Sequence, residues 1–261
     1  MNLKTVKLYH KIYGEGKPII ILHGLFGMSD NWLSFAKLKA QHRMVVLVDV
    51  RDHGRSPHTE EFTYEHIAED VLELMHDNWI YHADIIGHSM GGKAVMQLAS
   101  LHPDAIEKMA IIDIGPGSYP GGHEIIMEAL SGIDLKSMTS RNEVESRLST
   151  IIKDTAVLNF LLKNLSRNKG GGFRWKMNLP LLKSNYQQIL AGLDLNHIEN
   201  PTLFVKGELS AYIDDRQEAL IKETFTDYSI HEIKKAGHWV HADQPQVLFD
   251  VLYDFLNDKK D

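Results

Sequence analysis

The sequence predicts an α/β fold: a mostly parallel central sheet flanked by helices, with a helical block inserted in its second half. Three observations predict it. Short β-rich runs that are apolar on both faces recur along the chain, as strands buried in a parallel sheet require. Amphipathic stretches separate these runs, and such alternation of strand and helix implies right-handed crossovers and a doubly wound sheet. Between residues 118 and 195 the alternation stops, which divides the chain into a core of residues 1–117 and 196–261 and an inserted cap of residues 118–195.

Taken in order, Met1 to His10 alternates polar with apolar residues and reads as a first strand. Buried strands follow at Ile19–Leu22 and Met44–Val48. From Phe62 to Met75 the side chains of Ile67, Val71, Leu74 and Met75 share one helical face. Asp84–Ile86 reads as a strand that runs through a glycine-rich turn into a helix over Lys93–Leu101, and Met109–Ile112 reads as the next strand. Inside the insertion, Glu143–Ile152 and Val157–Leu165 carry helical patterns, broken by Gly170-Gly-Gly172 and the strand-like Phe173–Met177. Strands at Thr202–Val205 and Ser229–Ile233 return to the sheet, and a helix over Pro245–Leu256 packs Val247, Leu248, Val251, Leu252 and Phe255 against it.

Composition narrows the function classes. The 261 residues are 43% hydrophobic and 24% charged, which excludes a disordered chain, a fibre or a coiled-coil rod. A formal charge of −7 gives no global attraction for nucleic acid or an anionic membrane. With no cysteine there is neither a disulfide framework nor a thiol nucleophile nor a thiolate metal site. No run approaches the length of a membrane-spanning helix, and the N-terminus lacks the apolar core of a signal peptide, so a cytoplasmic enzyme is expected. Charge is uneven: Arg141 to Lys183 holds nine Lys/Arg against three Asp/Glu, a net of +6, so the remainder carries −13.

The chemistry centres on Asp84-Ile-Ile-Gly-His-Ser-Met-Gly-Gly-Lys93. A Gly-x-Ser-x-Gly turn between a buried strand and a helix holds its serine in a strained conformation with the hydroxyl raised above the sheet, so Ser89 is the expected nucleophile. The helix that starts at this turn directs free amides and its positive dipole end toward the reacting centre. The Met90 amide is one expected oxyanion donor. The second is expected from His23-Gly-Leu-Phe-Gly27, from Leu25 with Phe26 as the alternative, while His23 and Gly24 read as turn chemistry.

A serine nucleophile needs a base, and fifteen histidines compete for the role. His238 stands out because it follows the last strand and precedes the terminal helix, at the sheet edge where Ser89 emerges. His241 reads as a peripheral or surface residue, and the Gly-His-Trp-x-x-His spacing lacks the further ligands a metal needs. The carboxylate that fixes the base is expected at Asp113, directly after Met109–Ile112. Asp214 is the alternative, with Asp215 and Glu208 behind it, all three following Thr202–Val205 around Gly207-Glu-Leu-Ser210. His53 reads as structural, and Lys93 as packing near the first helical turn.

These motifs, with Asp49-Val-Arg-Asp-His-Gly-Arg-Ser56, Ile112-Asp-Ile-Gly-Pro116 and Gly237-His-Trp-Val-His241, resemble the α/β-hydrolase superfamily and within it the YbfF-like bacterial esterases, over nearly the whole chain. The resemblance implies esterase or thioesterase activity without a cofactor. Many related enzymes carry the acid after the strand at Thr202–Val205 in a Gly-x-x-Asp pattern, but the resembled branch has serine there, which implies that Asp113 is the acid and that Ser210 lies near the site as an accessory. The expected substrate is a small-molecule ester or thioester, with an acyl-coenzyme A suggested by the basic insertion and its apolar Leu158, Phe160, Leu161, Leu162, Trp175 and Leu179. The alternatives are a carbon–carbon bond hydrolase or lyase of the same fold, or a hydrolase-fold binding protein. Nothing in the sequence sets the oligomeric state.

Overall fold

The computed structural model describes residues 3–257. In chain order it forms β1 (His10–Tyr13), β2 (Pro18–Leu22), α1 (Leu33–Lys39), β3 (Met44–Val48), α2 (Tyr64–Asp77), β4 (Ala83–His88), α3 (Met90–Leu101) and β5 (Ile106–Ile112). Then come α4 (Glu124–Ser131), α5 (Arg141–Leu148), α6 (Thr155–Leu162), β6 (Leu165–Arg167), β7 (Phe173–Trp175), α7 (Leu179–Ser184) and α8 (Tyr186–Leu190). The chain closes with β8 (Thr202–Gly207), α9 (Asp215–Thr224), β9 (Tyr228–Ile233), α10 (Val240–Asp243) and α11 (Pro245–Asn257).

Seven strands form one sheet in the order β1-β3-β2-β4-β5-β8-β9, parallel throughout except for the antiparallel edge pair β1–β3. β2, β4 and the C-terminal half of β5 are buried, which is why they read as unbroken apolar runs. One apolar cluster, with α2 and α3, covers one face of the sheet; a second, with Trp32 and the apolar side of α11, covers the other. The order of the strands positions the site. β3 lies on one side of β2 and β4 on the other, so the chain reverses direction of winding here and the loops after β2 and β4 leave the sheet side by side.

The first strand differs from expectation. Met1 and Asn2 lie outside the described residues, residues 3–9 carry no strand, and β1 starts at His10. The amides of this lead-in are taken by side chains, Val6 N by Asp70 Oδ1 at 2.7 Å and Tyr9 N by Ser56 Oγ at 2.8 Å, and are therefore not available to a ladder. Between β5 and β8, α5 ends at Leu148 and α6 at Leu162, earlier than their apolar patterns suggest. Leu165 belongs instead to the antiparallel β6–β7 hairpin, whose connection passes through Gly171 and Gly172 at positive φ.

Candidate active site

β4 delivers the nucleophile candidate. It ends at His88, and Ser89 occupies φ +52°, ψ −121°, a strained backbone for a residue with a Cβ, before α3 begins at Met90. The turn closes this tightly because of its glycines. A Cβ on Gly87 would sit 2.5 Å from the Gly91 oxygen, and one on Gly91 would sit 2.6 Å from the carbonyl oxygens of both Leu22 and His23. A side chain at Gly87 would push α3 off β4, and one at Gly91 would push α3 away from the end of β2.

The carboxylate comes from the neighbouring strand. His88 pairs with Ile112 in register, Ser89 N donates to Ile112 O at 2.9 Å, and Asp113 follows directly, fully buried at φ +52°. Its backbone is tied to the next strand by Asp113 N donating to Val205 O at 2.8 Å. The imidazole arrives from the loop after β9. His238 Nε2 lies 3.0 Å from Ser89 Oγ, and its Nδ1 lies 2.8 Å from Asp113 Oδ2. Ser210 Oγ donates to the same Asp113 oxygen, and Gly207 N donates to the other at 3.0 Å.

The other carboxylates weighed from the sequence are engaged elsewhere. Asp214 caps α9 by accepting from Gln217 N at 2.9 Å, and Asp215 is the first residue of that helix. Glu208 accepts from Lys235 N at 2.8 Å and pairs with Lys234 at 3.1 Å.

Of the two loop amides considered for the oxyanion, that of Phe26 donates to His53 Nε2 at 3.3 Å. The Leu25 amide has no acceptor among the described residues, and the Met90 amide, at the first position of α3, has no intrahelical one. Leu25 and Ser89 line two clefts in common. The first also holds His238, Trp239, Val157, Phe160 and Leu161. The second, about 350 Å³ of atom-free space, runs along Met90 and Lys93 and is walled by Tyr64, Tyr119, Tyr186 and Tyr212.

Several residues around His238 escaped the sequence reading. The Tyr212 ring stacks on the His238 ring at 3.8 Å and 18°. His88 Nε2 donates to His238 O at 2.9 Å, so the residue before the nucleophile holds the backbone of the imidazole. Burial, reinforced by the neighbouring His241 and His238, drives the His88 pKa well below its ordinary value and keeps the ring neutral. Burial likewise pulls His241 and His123 down to about 4 and His53 down to about 3. The rings of His88, His123 and His241 near His238 are therefore neutral at pH 7. Lys93 is also buried; desolvation lowers it to about 7, and its Nζ donates to Ala191 O and lies 5.1 Å from the Tyr119 ring centre. No spacing or motif in the sequence marks Tyr212 or His123, since only the fold carries them to Ser89.

Among the described residues no group of three or more histidines or carboxylates is arranged to hold a metal ion, and no helix is long and apolar enough to cross a membrane.

Residues 17–245 match the family model described as the alpha/beta hydrolase fold. The chain belongs to the α/β-hydrolase family. This α/β hydrolase is 35% identical over 247 residues to the sn-1-specific diacylglycerol lipase ABHD11 of Mus musculus, spanning 91% of this chain and 80% of that one. It is 32% identical over 245 residues to esterase YbfF of Escherichia coli strain K12, covering 94% of each. Among solved structures, one titled as a marine microorganism esterase superposes with a TM-score of 0.94 at 40% identity, over 96% of this chain and all of that one. This α/β hydrolase thus has esterase and lipase relatives along nearly its full length.

Proposed function

We propose that this α/β hydrolase cleaves carboxylic esters by two-step acyl transfer, with Ser89 as nucleophile, His238 as general base and then acid, and Asp113 as the carboxylate that orients His238. The observation that carries the reading is the unbroken hydrogen-bonded line from Ser89 Oγ through both ring nitrogens of His238 to Asp113, at 3.0 and 2.8 Å. Ser89 attacks the ester carbonyl as His238 takes its proton. The oxyanion meets the amides of Met90 and Leu25, whose hydrogens are uncommitted. His238 then protonates the departing alcohol, and water attacks the acyl-enzyme by the same route.

The two clefts divide the substrate. His238 lines the cleft that holds Trp239 and Phe160 and not the tyrosine-walled one, and His238 must reach the leaving oxygen. The alcohol therefore occupies the first cleft and the acyl group the second. Residues 118–195 contribute His123, Val157, Phe160 and Leu161 to one wall and Tyr186, Ile189 and Leu190 to the other, and in this reading they form the cap of the site. Ester cleavage is favoured over thioester or carbon–carbon cleavage by the relatives, named as an esterase and a diacylglycerol lipase.

Hydrolysis of a chromogenic p-nitrophenyl ester by wild type and Ser89→Ala tests the reading. Turnover is expected in the first and lost in the second; activity in Ser89→Ala above about one tenth of wild type overturns it. Rates on an oxygen ester, the matching thioester and a vinylogous diketone then rank the bond types, with the oxygen ester expected first.

A further inference from the structure

The turn after β2 is held by side chains that converge from separate parts of the chain. Gly27 N donates to Gly24 O at 2.9 Å, and His23 Nδ1 donates to the same oxygen at 2.8 Å. In a trans peptide the C=O and N–H point in opposite directions, so two donors fixing Gly24 O also aim the Leu25 N–H. The following peptide is fixed by Phe26 N on His53 Nε2. Phe26 itself lies at φ +60°, a conformation a phenylalanine keeps only when its surroundings impose it.

The remaining end of Phe26 is held from far along the chain. Asn164 Nδ2 donates to Phe26 O at 2.6 Å across 138 residues. Asn164 is fully buried at the junction of α6 and the β6–β7 hairpin, where its own amide donates to Leu161 O at 3.0 Å and its carbonyl accepts from Lys176 N at 2.8 Å. Its Oδ1 has no partner among the described residues. An apolar side chain would avoid that unmet acceptor, so stability alone is a poor reason for an amide here. Among the described residues, the bond to Phe26 is the only hydrogen bond its side chain makes.

We propose that Asn164 is a positioning residue for the oxyanion loop: by fixing the Phe26 carbonyl it keeps the turn in the geometry that presents the Leu25 amide to Ser89. Residues 118–195 then set the rate of the chemical step as well as walling the clefts. The inference rests on the proposed role of the Leu25 amide as an oxyanion donor.

Asn164→Leu removes the donor and keeps the number of side-chain heavy atoms, in a bulkier side chain, whereas Asn164→Asp, close to asparagine in size, offers a donor to Phe26 O only while its carboxyl is protonated. Active sites are counted with a fluorophosphonate titrant, so that misfolded protein drops out. For Asn164→Leu, kcat per active site on a neutral p-nitrophenyl ester is expected to fall about ten-fold or more with KM within about two-fold. Inhibition by a trifluoromethyl ketone, whose adduct carries the oxyanion, should weaken in parallel. For Asn164→Asp, the ratio of its kcat to that of wild type should climb as pH falls, a signature that a packing role does not produce. An unchanged kcat per site in Asn164→Leu, or an Asn164→Asp ratio that is low and flat with pH, overturns the proposal; if the leucine variant does not fold, the aspartate series decides alone. Failure of wild type to hydrolyse esters or to be labelled at Ser89 would instead remove the underlying acyl-transfer reading.

Discussion

Ser210 and His238 donate to the same oxygen of Asp113, the serine through Oγ and the histidine through Nδ1 at 2.8 Å. With Gly207 N on the other oxygen at 3.0 Å, the plane of this buried carboxylate is fixed from three sides. Serine thus stands where the Gly-x-x-Asp pattern would place the acid, and it serves the aspartate that arrives from β5.

Exchanging Asp113 for asparagine replaces an acceptor with a group that cannot hold the Nδ1–H tautomer of His238. Asp113→Asn is expected to lower kcat by about 10⁴. Asp214→Asn keeps a side chain that caps α9 equally well and should leave kcat within a few-fold of wild type. Steady-state kinetics on one chromogenic ester compares the two; collapse of Asp214→Asn alone would move the acid to Asp214.

Ser210→Ala removes one donor and leaves His238 and Gly207 in place. A fall in kcat of about ten-fold or less is expected, with little change in KM. Because Ser210 acts through the carboxylate, adding Ser210→Ala to Asp113→Asn should cost almost nothing more, a departure from additivity that a double-mutant cycle reads directly.

Lys93 gives a prediction about stability. Buried, it releases its proton near pH 7 when folded and near 10.4 when unfolded. Between those values the unfolded chain holds the extra proton, so wild-type stability gains from this group as pH rises from 7 to about 10. Lys93→Met abolishes the titration. Its melting temperature should exceed that of wild type most at pH 7, with the gap closing by pH 9 to 10; a gap independent of pH would show that charging Lys93 costs the fold nothing.

The buried histidines work in the acid range. His53, His123 and His241 have folded pKa values depressed to about 3, 4 and 4, so below about pH 6.5 the unfolded chain binds protons that the folded chain refuses. Stability should fall as pH drops from about 6.5 toward 4. His241→Phe keeps a ring to stack on Trp32, where the two ring centres are 4.7 Å apart, and removes an Nδ1 with no partner among the described residues. Urea denaturation should find it no weaker than wild type at pH 7 and less acid-sensitive by about 1.4 kcal/mol per pH unit. An unchanged acid slope would contradict the neutral, buried state of that ring.

What could be read from the sequence follows from how each feature is encoded. β2, β3 and β4 are buried on both faces, so their apolar runs mark β2 and β3 almost to the residue and β4 by its middle, and the glycines around Ser89 mark a turn that tolerates no side chain. β1 lies later than the alternation suggests because the amides of Val6 and Tyr9 before it donate to Asp70 and Ser56 and not to a strand partner. Asp113 and Ser210 could be paired only through a departure from an expected pattern. Tyr212, His123 and Asn164 carry no local signal: Asn164 meets Phe26 across 138 residues, and that distance closes only when α6 and the hairpin after it have packed.

Incubation of the protein with a fluorophosphonate, followed by peptide mass spectrometry, tests the central claim most directly. The account predicts one adduct per chain, on Ser89, formed in step with the loss of esterase activity and absent in His238→Ala. Ester hydrolysis that continues undiminished with Ser89 fully modified, or an adduct on another residue that alone accounts for the loss, would contradict it.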